Sequence, residues 1–183
     1  MGANTTGFPR PKIVPPASKN DLIVEAIALL GLLLGIGLLV YGCVNLPEYV
    51  PHIGSSGGID SYGSKWILLV FMFISYVVGY GLLTIAGRYP YYLNYPGIIT
   101  AENAHKHYRL IRNMLRWIKV IFVWMTSVLT WLFILVMPND PGQSHYSILV
   151  ILLFPIAMVI VIGYYLMKLL QEGYSSNTTI KKH

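Results

Sequence analysis

Residues 46–65, LPEYVPHIGSSGGIDSYGSK, form a polar island rich in glycine and proline between two long apolar runs. The island carries Glu48, His52, Asp60 and Lys65 in a chain of which only 11% is charged. The runs that flank it, 22–44 and 66–86, each have the roughly 20 mostly apolar residues needed to cross the hydrocarbon layer. Two more runs follow at 117–137 and 148–170. Backbone N–H and C=O groups cannot go unpaired in lipid, so all four runs are expected to be helices. The expected fold is an all-α integral membrane protein, a four-helix transmembrane bundle over residues 20–173. Polar tails at 1–19 and 174–183 flank it, and the proline-rich first tail reads as disordered.

Composition supports that class. Apolar residues make up 55% of the chain, whereas soluble domains are roughly 25% charged. The net charge of +6 is distributed as a topology signal. Arg10, Lys12 and Lys19 precede the first span; Arg88, Lys106, Arg109, Arg112 and Arg116 separate the second from the third, with Lys119 just inside it. Lys168, Lys181 and Lys182 lie at or beyond the end of the fourth, and the other two connections hold only Lys65. The positive-inside rule then puts both termini and the middle connection in the cytoplasm, in a cell membrane. The island and residues 138–147 face outward.

Inside the first span, Asn20 and Asp21 are placed to cap the helix, and Glu25 reads as an acid favoured by the helix N-terminus. Gly31 with Gly35, and Gly79 with Gly81, suit close helix contact. Cys43 is the one cysteine, so no intrachain disulfide exists; it reads as a small packed residue. Residues 88–97, RYPYYLNYPG, read as an interfacial strap, because tyrosines favour the headgroup zone and Pro90 and Pro96 forbid a continuous helix. A helix is then expected from about residue 101 to 137, extending the third span into the cytoplasm. On it His105, Arg109, Arg112, Arg116 and Lys119 recur at intervals of four and three, beside an apolar stripe of Ala104, Tyr108, Ile111, Leu115, Ile118 and Phe122. Such a basic stripe suits anionic inner-leaflet lipid or an acidic cytosolic protein, and its lipid-seeking flank argues against nucleic acid. Pro155 in the fourth span is expected to kink it and to open a small cavity.

Side chains capable of chemistry gather on the outer face: Glu48, His52, Asp60, Lys65, Asp140 and His145. His52, Asp60 and His145 are weak metal candidates, because no short HxxxH or HExxH spacing pre-forms a ligand pair. No GxSxG, no Cys–His set and no paired-carboxylate motif occurs, so the chain reads as non-enzymatic and without cofactor. Pro47, Pro51, His52, Gly57, Asp60, Gly63, Ser64 and Lys65 remain as an outer loop that is either structural or ligand-binding. Asp60 and Lys65 are expected to pair there, because each is costly to desolvate alone.

The island, with Leu46-Pro47, Val50-Pro51-His52, Gly57, Asp60 and Tyr62-Gly63-Ser64-Lys65, resembles a bacterial membrane domain whose pattern reads LPxxIPxHFNxxGxPDxxGSK. That domain of unknown function is the N-terminal domain of the SdpI-type immunity proteins. Ile53-Gly54 stands where the pattern has Phe-Asn, and Ile59 where it has Pro. The stretch NYPGIITAENAHKHYRLIRNMLRWIK, residues 94–119, resembles a run in small members of the same family. The resemblance implies immunity or signalling through an extracytoplasmic peptide, and contact with a cytosolic protein. From a different class comes the alternative of a small transporter or channel subunit acting as a dimer, and a metal-dependent membrane enzyme stands third.

Overall fold

A computed structural model describes the backbone of residues 10–53, 59–95, 99–136 and 144–180, with side chains over 10–51, 61–95, 99–135 and 152–172. Its elements in chain order are α1 Lys19–Asn45, β1 Tyr49–Ile53, β2 Ile59–Ser64, α2 Lys65–Arg88, α3 Ala104–Trp131 and α4 Ser144–Ile180. A single 3₁₀ turn, Pro90–Tyr92, follows α2, and a π-helical turn, Leu132–Val136, prolongs α3. Four helical stretches are long and apolar enough to cross a membrane: Lys19–Asn45, Lys65–Arg88, Ala104–Leu135 and Leu152–Glu172. They form a helical bundle with α3 at the centre, since α1, α2 and α4 all pack on it.

The helices divide the work unequally. Along α1 and α2 a narrow face is buried, with Ala28, Gly35 and Leu39 on α1 and Leu69, Met72 and Tyr76 on α2, while side chains such as Leu33, Val40, Ile67 and Phe71 are exposed on the rest of the surface. In water such a surface would drive association; for a spanning helix it is the lipid-facing side. Helix α3 instead turns polar groups inward. Thr126, Ser127 and Thr130 are buried, and each returns its hydroxyl to a carbonyl four residues back, at 2.8–2.9 Å. Tyr76 of α2, 1% exposed, donates to Ser127 at 3.0 Å and lies 3.2 Å from Thr130. The Ser127 hydroxyl also lies 2.8 Å from the Gly31 carbonyl of α1, so its single proton is shared between that oxygen and the Val123 carbonyl. With no water available, these mutual bonds are what make the buried hydroxyls tolerable.

Glycines set the close approaches. A Cβ at Gly35 would sit 2.1 Å from the Tyr76 hydroxyl, and one at Gly79 would sit 2.0 Å from Phe122. Gly31 faces Trp124, so the Gly31/Gly35 pair is used within the chain. Gly81, expected to act like Gly79, meets nothing within 4 Å.

Several sequence expectations change. The α1 cap is Ser18, which accepts from the Asp21 amide at 3.3 Å while Asp21 accepts from the Ser18 amide at 2.8 Å, a reciprocal capping box. Residues 10–18, read as disordered from their prolines, lie against the bundle: Tyr108 donates to the Pro11 carbonyl at 3.1 Å, and Arg112 donates to that of Pro15. Proline carbonyls are good acceptors, and the stiff segment offers several of them in a row. The third helix begins at Ala104, after a turn in which Thr100 and Asn103 exchange side-chain bonds at 2.9 and 3.4 Å. Helix α4 already includes Ser144 and runs through the expected tail to Ile180. Cys43 is exposed, not packed. Residues 1–9 and 181–183, and the part of the outer connection at 138–143, lie outside the described residues.

Candidate functional site

At one end of the bundle the island forms a hairpin. β1 and β2 pair antiparallel in the register Tyr49–Ser64, Val50–Gly63, Pro51–Tyr62, His52–Ser61. The register then shifts, with Ile53 opposite Ile59, so that Asp60 is the extra residue of a bulge. Alternation gives the hairpin two faces. Val50, 8% exposed, joins the main core with Leu46, Leu69 and Ile134, whereas Tyr49 and Tyr62 on the opposite face are 64% and 66% exposed. Gly63 stands across from Val50 and adds no side chain to obstruct that contact.

Lys65, the first residue of α2, locks the hairpin to α1. Its Nζ donates to the carbonyls of Cys43 at 3.0 Å and Leu46 at 2.9 Å, and its amide donates to the Glu48 carbonyl at 2.9 Å. The last carbonyls of a helix have no intrahelical donor and carry its partial negative charge, so an ammonium suits that place. The ammonium thus serves the α1 C-terminus with two of its three donors; the expected pairing with Asp60 involves a side chain outside the described residues. Ser64, the α2 N-cap, accepts from the Trp66 amide at 3.4 Å. Pro47 and Glu48 are exposed, and Pro51 is half-buried. Gly57, the side chains of His52 and Asp60, Asp140 and the side chain of His145 lie outside the described residues. Among the described residues, no three His, Cys, Asp or Glu side chains converge as metal ligands would.

The opposite end holds the charges. Down α3 the basic series passes from outside to inside: His105 and Arg109 are exposed, Arg112 and Arg116 half-buried, Lys119 buried. The intervals of four and three average 3.5, and a straight helix of 3.6 residues per turn drifts about 20° per seven residues against that repeat. The stripe therefore winds from the helix surface into the bundle.

Lys119 ties three helices into one knot. All three of its ammonium donors are used: Glu25 of α1 at 2.5 and 2.7 Å, and Thr84 of α2 at 3.1 Å. Tyr80 of α2 donates to Glu25 at 3.0 Å, and its ring lies 4.7 Å from the Lys119 ammonium. Glu25, read as an acid held by the helix terminus, is thus a salt-bridge partner. One turn nearer the α1 terminus, Arg116 bonds Asp21 at 2.8 Å and Asn113 at 3.0 Å.

A cavity of about 200 Å³ opens beside this knot, lined by Glu25, Thr84, Arg88, Arg112, Arg116 and Lys119 over an apolar floor. Arg88, in the last turn of α2, has no side-chain partner among the described residues. It belonged to the sequence's charge pattern but not to the stripe, because spacing along α3 says nothing of α2. Pro155, expected to open a cavity, is exposed on α4 and lines neither this cavity nor the apolar groove along Leu30, Leu33, Leu34, Leu38 and Leu135.

Beside it the tyrosine strap packs on α3. Tyr95 donates to the Pro90 carbonyl at 2.9 Å, and Arg10 lies 5.7 Å from its ring; burial pushes the Tyr95 phenol up from its ordinary value. His107, 2% exposed, has Nδ1 3.0 Å from the Asn103 carbonyl and no partner for Nε2 among the described residues. It was missed in favour of His105, although its place between Ala104 and Ile111 on the apolar face marked it as inward.

Compared with known protein families, curated proteins and solved structures, the chain matches none. The fold defines it by class: a multi-pass membrane protein built on four apolar helices.

Proposed function

We propose that this is a non-enzymatic membrane protein of SdpI-like type in a bacterial plasma membrane, acting in immunity or signalling by recognising an extracytoplasmic peptide. Its orientation in this reading follows the positive charges: the Lys119 end faces the cytoplasm and the hairpin faces outward. One observation carries the reading. The hairpin has its Val50 face built into the core and anchored by Lys65, while Tyr49 and Tyr62 stand exposed on the other face. Rigid tyrosines with an apolar ring and a polar tip suit contact with an amphipathic peptide at little entropic cost.

The test is survival of cells that make the chain when challenged with a panel of secreted membrane-active peptides. The wild type should protect against at least one of them. Y49A/Y62A, present at equal level in the membrane, should lose that protection. Equal protection by the double variant, or no protection by the wild type against any peptide of the panel, would overturn the reading.

A further inference from the structure

The cavity at the Lys119 end has an unbalanced charge. Four cations line it, Arg88, Arg112, Arg116 and Lys119, and two carboxylates answer them: Glu25 holds Lys119 and Asp21 holds Arg116. Arg112 donates to a neutral carbonyl, that of Pro15, and Arg88 has no side-chain partner among the described residues. Among the described residues the recess therefore carries two more guanidinium charges than it has carboxylates bonded to them; Asp21 also attracts Arg112, but its bonded partner is Arg116. Like charges held together beside an apolar bundle repel, and the half-buried Arg112 also loses part of its hydration, whereas Arg88 at the rim stays exposed. An anion in the recess relieves both costs.

We propose that this cavity is a binding site for a phosphate group, with Arg88 and Arg112 as its anchors. Guanidinium forks bond phosphate oxygens two at a time, a match that chloride and a single carboxylate make less well. Thr84 accepts from Lys119 and keeps its own hydroxyl proton to donate. The site also has the depth of a headgroup: Arg88 ends α2 and Asp21 lies in the first turn of α1, where the apolar spans meet the interface. The phosphate could belong to an anionic phospholipid or to a soluble phosphate compound, since the same groups recognise both. The proposal is independent of the hairpin reading.

The test uses the full chain purified in a maltoside detergent, which contains no phosphate. Its thermal unfolding is followed while short-chain phosphatidylglycerol or inorganic phosphate is added. Saturable stabilisation of about 5 °C or more by the lipid alone assigns the site to a lipid headgroup; stabilisation by inorganic phosphate as well assigns it to phosphate compounds generally. R88Q and R112Q should each weaken binding about tenfold or more, whereas K168Q on the exposed side of α4 should not.

A block that leaves every charge in place separates the cavity from general surface electrostatics. Gly87 lines the cavity, and a Cβ there meets nothing within 4 Å, so the backbone accepts a side chain at this position and G87W is designed to obstruct the recess. It should abolish saturable binding at unchanged helical content. Failure of both probes to bind the wild type overturns the proposal, as does binding to G87W and R88Q that equals the wild type.

Discussion

At the scale of single residues, Lys119 decides most. A lysine and a glutamate taken out of water are each costly, and their pairing offsets that cost only while both are present. Removing one partner should therefore be far worse than removing both. E25Q alone should destabilise the bundle by about 3–5 kcal/mol, by leaving the buried Lys119 charge unanswered, and K119M by less, because the Glu25 side chain is 37% exposed. E25Q/K119M together should fall within about 2 kcal/mol of the wild type, because Gln and Met fill similar space and neither carries charge. Equilibrium unfolding of the four proteins in detergent measures this cycle; additive losses in the double variant would mean that the two side chains do not act as a pair. The sequence showed half of this contact. Intervals of three and four placed Lys119 on one line with Arg112 and Arg116, but periodicity identifies a face, not the helix that will meet it. Glu25 lies 94 residues away along the chain, and nothing local to either residue points to the other.

At the scale of elements, the hairpin and the first helix terminus are one unit joined through Lys65. K65A removes the donor shared by the Cys43 and Leu46 carbonyls. The loss should be about 1–3 kcal/mol, with faster hydrogen exchange confined to the last turn of α1 and to the hairpin. Exchange that quickens equally in α3 would show that Lys65 supports the whole bundle and not this junction. A second element test concerns the α1–α2 approach. G35L places side-chain atoms where the Tyr76 hydroxyl stands, so Tyr76 must leave Ser127 and Thr130. Overpacking of this kind costs about 1–3 kcal/mol, and Y76F in the same background should recover part of it by removing the displaced hydroxyl. The two apolar runs beside the island were plain from composition, and so was its role as a connection. Its strands were not. Among the described residues of the two strands Val50 is the core side chain, and the period of two extends over too few residues to stand out from a glycine-rich turn.

At the scale of the whole molecule, four spans were legible because twenty apolar residues in a row admit little else, while the polar interior of α3 was hidden by its own length. Thr126, Ser127 and Thr130 read as ordinary residues of a span, since hydroxyls that return to the carbonyl four residues back cost an apolar helix little. The remaining question at this scale is which way the bundle faces. The basic residues at the Lys119 end are held there by Asp21, Glu25 and the Pro15 carbonyl, so part of the positive charge serves packing as well as orientation. The sign of the asymmetry is still unambiguous, because Lys65 is the one basic residue in the two opposite connections. Single cysteines introduced at Ser56 and Asn177, in a C43S background, should then react with a membrane-impermeant thiol reagent from opposite sides. S56C should label on intact cells, and N177C only after the membrane is opened. Labelling of both on intact cells would require an even number of crossings between them and would contradict the three that the four-span bundle places there; labelling in the reverse order would keep the bundle and invert it. Reversal would also put the Arg88–Arg112 cavity on the outer surface, where externally added phosphatidylglycerol could reach it without crossing the bilayer.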